Sequence, residues 1–284
     1  MKLLLTTLLA LIAFAANSLL ARVALAEQAI DASSYTLIRL GSGALFLALF
    51  VAIKLRLNPI ASFSRLSLSA GFALLAYALL FSFAYLELST GTGALLLFGA
   101  VQLTLVLMHV ITGNKLHRNQ WVGLTAAIMG FVVLMLPNAQ QPDLLAAMLM
   151  IVSGIAWAVF TMLGKKLAAN DVSPVLSITH GFIIAAVLSL AALPLIDWTH
   201  AAKPSGVGYA IISGVLASGA GYVIWYQVLA KLSLLQAAVS QLMVPVIAFA
   251  MGVGLLDEQL AVQSVVASLV ILTGIALVVT TKQK

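Results

Sequence analysis

Four stretches of the chain carry no Asp, Glu, Lys or Arg at all: Leu3 to Ala21, Leu66 to Leu86, Leu88 to Asn114 and Leu144 to Gly164. A helix needs about 20 apolar residues to cross a hydrocarbon core, so these stretches read as membrane spans. Over the whole chain 63% of residues are hydrophobic and only 8% are charged, against about a quarter charged in soluble domains. A water-soluble globule and a disordered chain are both excluded. The net charge of +6 is scattered over loops and makes no basic face for nucleic acid. There is no cysteine, hence no disulfide framework and no thiolate chemistry.

With charges, prolines and polar clusters as punctuation, ten spans are expected, near residues 3–25, 32–54, 66–86, 90–113, 119–137, 143–168, 174–196, 205–230, 234–256 and 261–281. All should be helices, since lipid cannot satisfy an open backbone and no stretch shows the alternation of a barrel strand. Lys2, the apolar run behind it and Ala24-Leu25-Ala26 before Glu27 imitate a signal peptide. The uncharged run is longer than the usual apolar region of about 7–15 residues, so it is read as a retained first span.

Numbering the loops separates the charges. The side of the N-terminus holds Lys2, Lys54, Arg56, Arg65, Lys115, Arg118, Lys165, Lys166, Lys231, Lys282 and Lys284 against the single acid Asp171. The other side holds Glu27, Asp31, Glu87, Asp143, Asp197, Asp257 and Glu258 with only Arg22 and Lys203. Loop Lys and Arg stay cytoplasmic, which puts both termini inside a cytoplasmic membrane.

The chain also echoes itself. Phe14 to Arg22 aligns with Trp157 to Lys165 at a shift of 143; Glu87-Leu88-Ser89 aligns with Lys231-Leu232-Ser233 at a shift of 144, as do Leu116 with Leu260 and Gly130 with Gly274. Two halves of five spans are expected, residues 1–140 and 141–284. Because five is odd, they would lie in opposite orientations, an architecture that forms transport sites at the repeat interface.

Ten short-looped spans in two halves, the Trp157 to Lys165 stretch, Ser240-Gln241-Leu242-Met243-Val244-Pro245, Leu256-Asp257-Glu258-Gln259-Leu260 and Gly274 resemble the drug/metabolite transporter superfamily, in its EamA-type branch. The resemblance covers essentially the whole chain. In that family each half tends to carry a proline in its fourth helix and a glutamate before its fifth. The second half has both, as Pro245 and Glu258; the first has Val101-Gln102 and Asn114 in their places. Phe14-Ala15-Ala16-Asn17-Ser18, Arg39 and Gly91-Thr92-Gly93-Ala94 leading to Gly99-Ala100-Val101-Gln102 further resemble the amino-acid exporter group.

Polar groups inside a membrane are the informative positions, because each is unfavourable there without a partner or a task. Arg39 is the one formal charge well inside a span; it is read either as a structural arginine paired with Asp31 or Glu27, or as a counter-charge for a carboxylate substrate or part of an outer gate. Asn17 lies mid-span, as helix glue or as a substrate contact. Gln102 is central on the fourth span, on one stripe with His109, which with His180 reads as interfacial. Tyr77, Tyr222, Trp225 and Trp157 supply deep aromatic faces, while Tyr85 and Tyr226 suit an interfacial belt. Gln241 shares a face with Pro245, a natural flexing point.

The resemblance implies a secondary transporter that exports amino acids or similar small metabolites, binding them near Asn17, Arg39, Tyr77, Gln102, Trp157, Tyr222, Trp225 and Gln241, with Pro245 as hinge. No Walker loop, H-E-x-x-H or other metal-ligand spacing is present, so no enzyme, cofactor or metal is expected. The expected partners are a small-molecule substrate and the lipid bilayer, not nucleic acid; oligomeric state stays open, with a monomer compatible. Two alternatives remain: an uncoupled facilitator or exchanger of drugs or other metabolites, and a non-transporting scaffold or lipid-handling membrane protein.

Overall fold

The computed structural model describes residues 2–113, 115–134, 142–190, 193, 202–229, 231–232, 240–259 and 261–280. Asn114, residues 234–239 and the Tyr226 side chain lie outside this set. The described residues form ten helical segments: α1 (Lys2–Ala26), α2 (Ala32–Leu49, ending in a π turn Phe50–Lys54), α3 (Arg65–Ala84), α4 (Thr90–Ile111), α5 (Arg118–Leu134), α6 (Leu144–Ala168), α7 (Pro174–Ser189), α8 (residues 204–229), α9 (Met243–Leu256) and α10 (Val262–Thr280). Six of them, α1, α2 with its π turn, α3, α4, α6 and most of α8, are long and apolar enough to cross a membrane, and α7, α9 and α10 are shorter apolar helices.

Local chemistry sets the ends. Asp31 accepts from the N–H groups of Ser33 and Ser34, Asp143 from that of Ala146, and Ser89 and Ser173 cap α4 and α7, the latter with Pro174 at its first position. Ser64 and Ser67 close a reciprocal capping box at the start of α3. Each cap satisfies backbone donors that a helix start leaves open.

The surface is apolar and the interior holds the small and polar residues, the reverse of a soluble bundle. Leu4 is 73% exposed and Ile53 67%, whereas Thr36, Ser67, Ser82, Ser153 and Ser213 are fully buried. Water would not tolerate that surface, and lipid does. Buried hydroxyls are paired within and between helices: Thr36 with Ser82 at 2.7 Å, and Ser153 donating to the carbonyl of Tyr77 at 2.9 Å. Close approach is made by glycine where backbones meet. Gly123 of α5 and Gly274 of α10 lie against each other, so a Cβ on either would collide with the other helix.

The main packing pairs are α5 with α10, α3 with α6 and α7, α4 with α6 and α9, α2 with α7 and α8, and α1 with α8 and α9. Almost every close partner of α1–α5 thus comes from α6–α10.

α8 is not a uniform helix. Residues Ser213–Ala220 are π-helical, between Pro204–Ile212 and Gly221–Leu229. Such a stretch adds residues to a turn and changes which side chains share a face. At Pro245, three residues into α9, the missing N–H leaves the carbonyl of Gln241 without its helical donor, and the helix is interrupted at Leu242.

Candidate functional site

A cavity of about 180 Å³ lies among α1, α3, α4, α6 and α8, with contributions from Ile178 and Gln241. Its wall is aromatic. Trp157 stacks on Tyr222 at 5.3 Å between ring centres and meets Tyr77 at 4.8 Å, while Phe14 packs on Tyr222 at 5.4 Å and Trp225 at 5.7 Å. Rings of this size bury large areas and can present a flat face to an apolar or aromatic body. Between them stand the polar groups Asn17, Ser18, Gln102, Thr161 and Gln241. Among the described lining residues the single formal charge is Lys165, and no carboxylate is present.

Behind Tyr77 lies Arg39, 1% exposed. Its Nη2 donates to the Tyr77 hydroxyl at 2.9 Å and its Nε to the Ser218 hydroxyl at 3.4 Å, while Nη1 has no hydrogen-bond partner. The guanidinium rests over Phe81 at 4.7 Å and Tyr77 at 5.4 Å from the ring centres, and these faces offset part of its burial. Ser218 in turn donates to Asn17 Oδ1 at 3.1 Å, and Ser213 donates to the same oxygen at 2.8 Å. The two serines are five residues apart. In an α-helix, at 100° per residue, they would point about 140° apart; π-helical hydrogen bonding from i to i+5 brings them onto one face.

The two ends of the cavity differ. At the α6 end it reaches Lys165, which is exposed. At the other end, one turn beyond the lining residues Ser18 and Phe81, a polar layer covers it. Arg22 donates to the carbonyl of Leu86 at 3.1 Å and lies 3.8 Å from the carboxylate of Glu258. Glu258 accepts from the backbone N–H of Thr90 at 2.9 and 3.0 Å and from its hydroxyl at 2.9 Å, at the start of α4. Asp257, with φ of 52°, turns the chain so that Glu258 points back over α9, where Gly252 leaves room for its carboxylate. The negative group thus sits on the positive end of the α4 dipole.

Of the residues singled out in the sequence, Asn17, Tyr77, Gln102, Trp157, Tyr222, Trp225 and Gln241 all line this one cavity. Arg39 does not; it stands behind the wall and acts on it through Tyr77 and Ser218. The expected acidic partners are not its partners: Asp31 caps α2, and Glu27 is exposed. Tyr85 is no belt residue, being 0% exposed with its hydroxyl donating to the Thr90 carbonyl at 3.3 Å; Gly93 admits its ring. His180 is likewise buried rather than interfacial, 3.1 Å from the Ser67 hydroxyl and 4.3 Å from the Phe63 ring. Ser213, Ser218 and Phe14 were not singled out as site residues. A π-helical register leaves no signature in hydrophobic spacing, though the glycines at 214, 219 and 221 mark a backbone under close approach.

Apolar helices around an aromatic compartment that reaches the surface at one end define a multi-pass membrane protein that can enclose a small molecule. Comparison with known proteins makes this specific. The EamA-like transporter family matches residues 144–280. An uncharacterized protein of Pseudomonas aeruginosa is 46% identical over 97% of this chain and 93% of its own length. A probable amino-acid metabolite efflux pump of Escherichia coli is 25% identical over 70% of each chain. One solved crystal structure shares the fold with a TM-score of 0.66 at 16% identity, covering 95% of both chains. The chain belongs to the EamA-like transporter family, within the drug/metabolite transporter superfamily, and is a membrane transporter.

Proposed function

We propose that the protein is a secondary transporter of the cytoplasmic membrane that exports amino acids or similar small metabolites by alternating access. In this reading all ten helical segments cross the membrane, as inverted halves 1–140 and 141–284, with both termini inside. The packing supports it. Exchanging α1–α5 for α6–α10 turns the α3–α6 contact into α8–α1, α3–α7 into α8–α2 and α4–α6 into α9–α1, and leaves α5–α10, α2–α7 and α4–α9 unchanged. The ring pairs follow the same exchange: Tyr77 on Trp157 mirrors Tyr222 on Phe14.

The observation that carries the proposal is the cavity itself, walled by α1, α3 and α4 on one side and α6 and α8 on the other. Substrate lies there against Asn17, Tyr77, Gln102, Trp157, Tyr222, Trp225 and Gln241, with Arg39 behind. Rocking of the halves closes the Lys165 end and opens the Arg22 end, with Pro245 as the flexing point. The name of the Escherichia coli relative supports amino acids as cargo. In proteoliposomes, Gln102→Ala and Tyr222→Ala should abolish substrate flux at normal expression; full flux in both removes the site.

A second reading, an uncoupled facilitator or exchanger, is favoured by one observation: the described lining has no carboxylate to carry a proton. Flux that is the same with and without a proton gradient would select it.

A further inference from the structure

The network behind the cavity wall fixes which way its hydrogens point. A guanidinium has donors only. Arg39 Nη2 therefore occupies a lone pair of the Tyr77 hydroxyl, which leaves the phenolic hydrogen to be given elsewhere. Arg39 Nε likewise makes Ser218 an acceptor, so the hydrogen of Ser218 goes to Asn17, and Ser213 donates to that same Asn17 oxygen. The carbonyl of Asn17 is then in use, and its NH2 is the part of the amide left for the cavity. Two relays from one buried cation, through Tyr77 and through Ser218 to Asn17, thus turn two cavity-lining residues into hydrogen-bond donors.

Charge points the same way. Arg39 is buried, its Nη1 is unpartnered, and among the described residues no acid lies within ion-pair distance of it. Its positive field acts across a low-dielectric wall, where electrostatic effects are larger than in water. The lining offers no carboxylate for an ammonium group, and its single formal charge is again positive.

Resting on the reading of this cavity as the transport site, we infer that the site selects its cargo by a carboxylate and not by an amine. Tyr77 O–H and Asn17 NH2 form an oxyanion subsite, Arg39 is its positioning residue, and the rings of Trp157 and Tyr222 hold an apolar or aromatic body. The substrate class is a small organic monocarboxylate with such a body. An amino group on it is tolerated and contributes no selection.

The experiment uses three isosteric probes, phenylacetate, phenylacetamide and phenethylamine, on the full chain in liposomes. The readout is the intrinsic fluorescence of Trp157 and Trp225, both in the cavity wall. Phenylacetate should bind about tenfold or more tightly than the neutral amide, which corresponds to about 1.4 kcal/mol, and the amine most weakly. Arg39→Gln should reduce the preference for the anion over the amide to below about threefold while the amide's own affinity stays within that range. If Arg39→Gln does not fold, Asn17→Asp, which places a carboxylate where the NH2 stood, should turn the preference towards phenethylamine. Equal binding of all three probes overturns the oxyanion subsite and leaves the cavity as a binding site. A preference for phenethylamine in the unmodified protein also overturns it. No response to any probe at millimolar concentration overturns the subsite and the transport site together.

Discussion

Glu258→Gln isolates the layer that closes the Arg22 end. The substitution keeps the shape of the side chain and one acceptor oxygen, but removes the charge that meets Thr90 N–H and Oγ1 at 2.9–3.0 Å. Hydrogen bonds to a charged group contribute about 1.5–3 kcal/mol and neutral ones about 0.5–1.5, so each of two bonds weakens by roughly 1 kcal/mol. Loss of the anion at the α4 N-terminus adds a few tenths of a kcal/mol. The Arg22 pair at 3.8 Å, with side chains 25% and 13% exposed, adds little after solvent screening. A total of about 2 kcal/mol is a shift of roughly 30-fold in the ratio of closed to open layer. The chain has no cysteine, so one introduced thiol is the sole reporter. Ser18→Cys places it in the cavity wall one turn below Arg22. A membrane-impermeant maleimide applied from the Arg22 face should label Ser18→Cys slowly, and Ser18→Cys with Glu258→Gln at least tenfold faster. An unchanged rate, or acceleration only from the Lys165 face, refutes the role given to this layer.

Salt provides a second handle on the same layer: between 0.1 and 1 M the screening length falls from about 10 to 3 Å, so labelling of Ser18→Cys should rise modestly with salt and that of the Glu258→Gln form should rise less. Gly214→Ala puts a Cβ onto the Arg39 carbonyl and the Ser42 hydroxyl, and the melting transition should fall by an amount matching about 1–3 kcal/mol. Gly208→Ala, with nothing within 4 Å of its new Cβ, should leave that transition unchanged or raise it, since alanine is favoured over glycine in a helix by about 0.5–1 kcal/mol. Both are read by thermal unfolding in detergent.

The spacing of charges was enough to place every helical segment among the described residues within a few positions, because a membrane makes a single buried charge so unfavourable that loops and spans separate in the sequence itself. The same scarcity pointed to Asn17, Gln102 and the deep aromatics, which the fold gathers around one cavity. What spacing could not convey is what a polar residue faces. Arg39 is within reach of Asp31 along the chain, yet its partners come from α3 and α8. Tyr85 and Arg22 share the edge of the apolar region, but one is sealed against Thr90 and the other half-exposed beside Glu258. Such pairings depend on how helices distant in sequence cross, and hydrophobic spacing along one helix carries no information about that. The π turns of α8 are harder still, because apolar residues surround the whole segment and no stripe exists to shift phase.

Those π turns work as a phase adjuster. Pro204–Ile212 sets Gly206 against the Ala29 carbonyl, while Gly221–Leu229 aims Tyr222 and Trp225 into the cavity. A regular α-helix advances 100° per residue, so removing one residue within Ser213–Ala220 would rotate everything after it by about that angle against everything before. Both rings would swing off the cavity wall although no residue that touches it had been altered. Length within α8 is therefore as much a part of the binding surface as the side chains are, and a variant shortened there would be inactive with every lining residue intact.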